Sequence, residues 1–142
     1  MSDTTVRHVL VIDDSEGRRA VGLNAATYSL GRDPSNAIVL KGDGISRQHA
    51  ILLRVPQAGG YRYRILDGNS AGKPSTNGVH VNGTRCASHD LEHKDALAFS
   101  DGISAHYYAM PMTDDEYTRY TQSPDFRSIK SEITDDQSTQ LL

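Results

Sequence analysis

The chain has 142 residues, of which 37% are hydrophobic: enough for one domain with a real core, too few for two of ordinary size. Its formal charge of −3 argues against a general nucleic-acid binder, which uses clustered Lys and Arg to displace counterions. Residues 1–110 carry 12 Lys/Arg against 11 Asp/Glu and residues 111–142 carry 3 against 7, so a nearly neutral body precedes an acidic tail.

Cys86 is the single cysteine, which excludes an intramolecular disulfide. No run approaches the roughly 18 apolar residues needed to span a bilayer. The stretch Met1 to Val6 is polar, without the apolar core of a secretory signal. A cytoplasmic protein without a membrane partner is the expectation.

In chain order, apolar or alternating stretches predict strands at His8–Ile12, Ala20–Leu23, Thr27–Leu30, Ala37–Leu40 and His49–Val55. Further strands are predicted at Tyr61–Leu66, Val79–Val81, Ala96–Phe99 and Ala105–Met110. Turn chemistry separates them: Asp33-Pro34-Ser35-Asn36, Gly42-Asp43-Gly44, Gly59-Gly60, the long segment 67–78, and Asn82-Gly83. Asn82-Gly83 is a strong hairpin signal because both residues accept positive φ. Many short strands with this punctuation read as an all-β sandwich or barrel, and no window before residue 110 keeps a helical period.

Composition changes at Pro111. From Met112 to Leu142 there are nine Ser/Thr and seven acids with few large apolar residues, too little to offset the entropy of ordering. The expected organisation is a polar segment over 1–7, a β domain over 8–110 and a largely disordered tail over 111–142, with a short helix near 125–133.

Three loop clusters carry the chemistry: Gly31-Arg32; Ser46-Arg47-Gln48-His49; and Ser75-Thr76-Asn77-Gly78, followed by Asn82-Gly83. Singly, each is an ordinary turn or a solvated charge. Together they offer an arginine fork, short hydroxyls from two loops and a carboxamide, which is what a phosphate dianion on a peptide requires.

In this order and spacing, Tyr28–Leu40, Ile45–Ala50 and Pro74–Gly83 resemble the forkhead-associated (FHA) family over roughly residues 8–110. The resemblance implies a two-sheet antiparallel β-sandwich that binds phosphothreonine peptides and is not an enzyme, with no cofactor and no metal. It implies that Arg32 pairs with the phosphate, that Ser46 and Thr76 supply hydroxyls, that Arg47 reaches the phosphate or the peptide backbone, and that Asn77 bonds the backbone beside the phosphothreonine. His49 is then a brace for the binding loops, and Gly31, Gly78, Asn82 and Gly83 support them. The partner implied is a phosphothreonine-containing protein in Ser/Thr kinase signalling or regulated assembly. The alternative is a scaffold that keeps the fold and binds without phosphate.

Two departures from the family stand out. The link from Leu66 to Ser75 is longer than the family's, and its Lys73 either adds positive charge toward the peptide or is a plain surface lysine. The family's Gly-Asp before a late strand is Lys94-Asp95 here. Thr113, Thr118, Thr121, Thr134 and Thr139 lie in the acidic segment, where a phosphorylated tail is a candidate ligand for its own pocket or a neighbour's.

Other motifs carry less. Val9–Ser15 imitates the first strand and acidic pair of a receiver domain, but the sequence that follows reads β after β. His89-Asp-Leu-Glu-His93 matches a zinc-peptidase pattern that needs a helix and a third ligand. Ser46 with His49 lacks an orienting acid and an oxyanion element.

Overall fold

The computed structural model describes residues 5–122. Among them the strands are β1 (Thr5–Asp14), β2 (Gly17–Leu23), β3 (Thr27–Gly31), β4 (Ile38–Val39), β5 (Ala50–Gln57) and β6 (Gly60–Asp67). They continue with β7 (Val79–Val81), β8 (Thr84–Cys86), β9 (Ser88–Asp90), β10 (Ala96–Ser100) and β11 (Ile103–Met112), and one helix, α1 (Asp114–Gln122), follows.

The strands form two sheets, ordered β2-β1-β11-β10-β7-β8 and β4-β3-β5-β6-β9. Every pairing is antiparallel except β3 with β4, where Leu30 faces Ile38 and Gly31 faces Val39. The architecture is the two-sheet sandwich that the sequence implied. Its core lies between the sheets and includes Leu10, Ile12, Leu30, Leu52, Tyr63, Ile65, Leu97, Phe99 and Tyr107. A fully buried Leu, Ile or Phe side chain contributes about 1.5–3 kcal/mol.

Strand β1 explains where the helix goes. Residues 8–12 are all buried, so the strand is covered on both faces. Leu10 and Ile12 point between the sheets, while Val9 and Val11 join Ala20, Tyr108, Met112 and Tyr120 in a second cluster. Helix α1 seals that cluster with Tyr120, and Tyr117 packs at its edge. The helix starts in a reciprocal capping box: Glu116 N–H donates to Thr113 Oγ1 (3.1 Å) and Thr113 N–H to Glu116 Oε1 (2.8 Å). Arg7 pairs with Asp114 and lies over the Tyr117 ring at 4.9 Å, tying the first turn to β1.

Residues 111–122, expected in the tail, are therefore folded onto the sheet, and β1 begins at Thr5, inside the expected N-terminal segment. The physical reason is the apolar outer face of β1 and β11, which needs a cover. The expected helix near 125–133 lies outside the described residues, as do Thr134 and Thr139. Thr113 is the helix cap, Thr121 Oγ1 donates to Tyr117 O (2.8 Å), and Thr118 is exposed.

The acidic pair of β1 is used within the fold. Asp13 pairs with Arg18 (2.6 Å) and Asp14 with Arg19 (3.0 Å) across the β1–β2 hairpin. Burial pushes the Asp14 carboxyl up, but N–H donors from Lys41 and Glu16 and the Arg19 guanidinium outweigh it and hold the group below the usual range.

Candidate functional site

The sites of interest lie on three loops at one end of the sandwich: β3–β4, β4–β5 and β6–β7. The first two are stitched by backbone bonds, Arg32 N–H to Ser46 O (3.0 Å) and Asp33 N–H to Arg47 O (3.2 Å). The buried Asn36 carboxamide donates to Asp33 O (2.9 Å) and Arg47 O (2.7 Å). The loops approach so closely at Gly31 that a Cβ there would overlap the Arg47 carbonyl.

His49 joins the second loop to the third. It is fully buried, its Nδ1 accepts from Ser46 N–H (3.1 Å), and its Nε2 lies 2.8 Å from Gly78 O. Because Nδ1 accepts, Nε2 carries the hydrogen and donates to that carbonyl. The ring sits edge-on to Phe99 at 5.6 Å. Both nitrogens are thus occupied in holding loops, which leaves no free base beside Ser46.

The third loop is anchored from beneath. Asp67 accepts from the Ser75 hydroxyl, whose oxygen accepts in turn from Gly78 N–H (2.9 Å). Gly78 has φ 79°, and a Cβ there would press on the Arg85 guanidinium. These contacts bring Thr76 to Ser46: Thr76 N–H donates to Ser46 Oγ (3.0 Å), and the two hydroxyl oxygens are 3.5 Å apart.

The result is a polar cleft of about 470 Å³ lined by Arg32, Asp33, Ser46, Arg47, Gln48, Asn69, Lys73, Pro74 and Thr76. Four of the five expected binding residues line it: Arg32, Ser46, Arg47 and Thr76. Arg32 is aimed by a bond from its Nε to Ile45 O (3.1 Å). The N–H and hydroxyl of Ser35 hold the Asp33 carboxyl below its usual range, so it stays ionised beside the two arginines. Two short hydroxyls and two guanidinium groups around open volume are groups of the kind that can bond a tetrahedral anion.

Asn77 stands apart. Its carboxamide donates to Gly44 O (2.8 Å), and it borders a neighbouring hollow of about 310 Å³ with His80 and Ser100. Asn82 and Gly83, with φ of 51° and 87°, form the β7–β8 turn; Asn82 bonds Asp95 (3.0 Å) and Ala96 N–H (2.9 Å), so they brace strands and not the cleft. Gln48, Asn69 and Pro74 line the cleft without having been singled out. Gln48 stood within a cluster already of interest, whereas nothing in the sequence announces where the Asn69–Pro74 excursion folds.

A family model for the FHA domain matches residues 28–100. This chain belongs to the FHA domain family. FHA domains are interaction modules known for phosphopeptide-mediated contacts, and are not enzymes. The chain is similar to a crystal structure of the Slr1951 protein from Synechocystis sp., at 35% identity and TM-score 0.69, over 71% of this chain and 96% of that one. It is similar to the FHA domain of CT664 from Chlamydia trachomatis at 26% identity and TM-score 0.60, over 72% and 96% respectively. Mycobacterium tuberculosis EmbR, in complex with a low-affinity phosphopeptide, matches at 29% identity and TM-score 0.57, over 74% of this chain and 25% of that one. The uncharacterized protein sll1895 of Synechocystis is 38% identical over 103 residues, 72% of this chain. This FHA chain spans 15% of that relative's length.

The rival motifs find no support in the geometry. His89 Nε2 contacts Asp95 (3.3 Å) and His93 Nδ1 accepts from Ala109 N–H (3.1 Å). No group of three or more His, Cys, Asp or Glu that could hold a metal occurs among the described residues. No helix among them is long and apolar enough to cross a membrane.

Proposed function

We propose that this FHA domain is a phosphothreonine-dependent protein–protein interaction module, joining a Ser/Thr kinase to its outputs or to a regulated assembly. The observation that carries the reading is the convergence of Arg32, Arg47, Ser46 and Thr76 on one cleft. The phosphopeptide held by the EmbR relative supports it.

In this mechanism the phosphate enters between the guanidinium groups and the paired hydroxyls. Arg32 and Arg47 supply charge-assisted bonds, Ser46 Oγ and Thr76 Oγ1 donate to phosphate oxygens, and the bracing by His49 and Asn36 means the loops need little reordering on binding. Asn77 contacts the peptide backbone from the adjoining hollow.

Titration of a phosphothreonine peptide library, with phosphoserine and unphosphorylated controls, tests this directly. Arg32→Ala and Ser46→Ala should each weaken binding more than tenfold, since a hydrogen bond to a charged group is worth about 1.5–3 kcal/mol. Both variants should unfold at nearly the wild-type temperature. Equal affinity for phosphorylated and unmodified peptides would assign the domain to phosphate-independent scaffolding instead.

A further inference from the structure

The cleft is built from walls of unequal charge. One wall carries Arg32 and Arg47 with the ionised Asp33, which interacts with both and leaves that wall one net positive charge. The Asn69–Pro74 stretch supplies another wall, and its Lys73 has no carboxylate within ion-pair distance among the described residues.

That stretch is a folded unit. Asn69 Oδ1 accepts from Ala71 N–H (3.0 Å) and Lys73 N–H (2.9 Å), and Asn69 N–H donates to Lys73 O (3.0 Å). Gly68, at φ 94°, lies so close to the Lys73 carbonyl that a Cβ would overlap it. The backbone of Lys73 is therefore placed by the loop, and the residue lines a cleft of about 470 Å³. That space is larger than a five-atom phosphate fills. The remainder is room for peptide.

We infer that Lys73 forms a second anion subsite, so that the cleft reads phosphothreonine together with an acidic or phosphorylated residue close to it on the same peptide. The inference rests on the phosphothreonine reading above. The wall of Arg32, Arg47, Ser46 and Thr76 takes the phosphate, and Lys73 takes the flanking anion.

The test uses phosphothreonine peptides that carry Gln, Glu or phosphoserine at one position within three residues on either side. These are titrated against the full chain, Lys73→Gln and Lys73→Glu. At the position Lys73 reads, wild type should bind the Glu peptide about fivefold tighter than the Gln peptide, the upper range of an exposed ion pair. The doubly charged phosphoserine should gain about tenfold. High salt should shrink the ratio. Lys73→Gln should bring it toward one, and Lys73→Glu should invert it. A ratio unchanged in Lys73→Gln overturns the subsite. So does a uniform loss across all three peptides, which would assign Lys73 to the phosphothreonine phosphate itself. If no phosphothreonine peptide binds wild type, the reader function falls and the subsite with it.

Discussion

Lys94 occupies the left-handed region at φ 76°, in the turn before β10. For an L-residue other than Gly, Asn or Asp this costs about 1–2 kcal/mol. The turn is kept because Lys94 N–H bonds Tyr107 O (2.7 Å) and the buried Asp95 accepts from Glu92 N–H (2.8 Å) and from the Asn82 carboxamide. Lys94→Gly should relieve the strain at some cost in chain entropy, raising stability by about 0.5–1 kcal/mol, read as a higher urea midpoint at unchanged slope. The departure from the family's Gly-Asp was visible in the sequence; that the backbone retains the left-handed turn without glycine was not. The same limit separates Asn77 from Thr76. Loop composition made both candidates, but the chain bends at these two residues, so Thr76 lines the cleft while Asn77 bonds Gly44 O and borders the next hollow.

Helix α1 was legible by one signal and hidden by another. Thr113-Asp-Asp-Glu116 is a capping-box sequence, and Tyr117, Tyr120 and Thr121 follow at helical spacing, yet the polar, acidic composition reads as tail. The unbroken run Val9–Ile12 also held the clue, since a strand with one wet face would alternate. Strands β8 and β9 escaped notice because three-residue stretches of mostly polar side chains carry no alternation to read. Thr113→Ala removes half of the capping box and should destabilise the chain by about 1 kcal/mol, with a matching drop in thermal midpoint. The cap lies where β11 ends, whereas Ser100, where β10 ends, bonds Asp43 O (2.8 Å) beside the recognition loops. Phosphopeptide affinity should therefore be unchanged in this variant, and a coupled loss would show that the helix and the cleft communicate.

Across the described fold, the three loops that line the polar cleft lie at one end of the sandwich, and an aromatic cluster packs toward the other, where Tyr61 pairs with Pro56 beside the β5–β6 turn. His8, 2% exposed, stacks on Tyr61 at 4.5 Å, lies edge-on to Tyr63 and bonds Tyr107 Oη through Nδ1 (2.6 Å). Desolvation by burial lowers its pKa. His93 is lowered too, first by burial and then by Lys94, and its Nδ1 accepts from Ala109 N–H, a role only the unprotonated nitrogen can fill. Both groups bind a proton more readily in the unfolded chain, so unfolding takes up protons as the pH falls below about 6.5, the ordinary histidine value. Stability is thus fully present above that pH and is lost downward toward the folded-state values. The lowered carboxyls Asp14, Asp33 and Asp90 add their loss only below the ordinary carboxylate range, near pH 4. Thermal midpoints should therefore fall in two stages on acidification, first as the pH drops below about 6.5 and again below about pH 4. His8→Gln should be less stable at pH 7.5 and show a shallower first stage, while leaving the second in place. A first stage of full slope in that variant would remove His8 as its source and leave His93 to account for it.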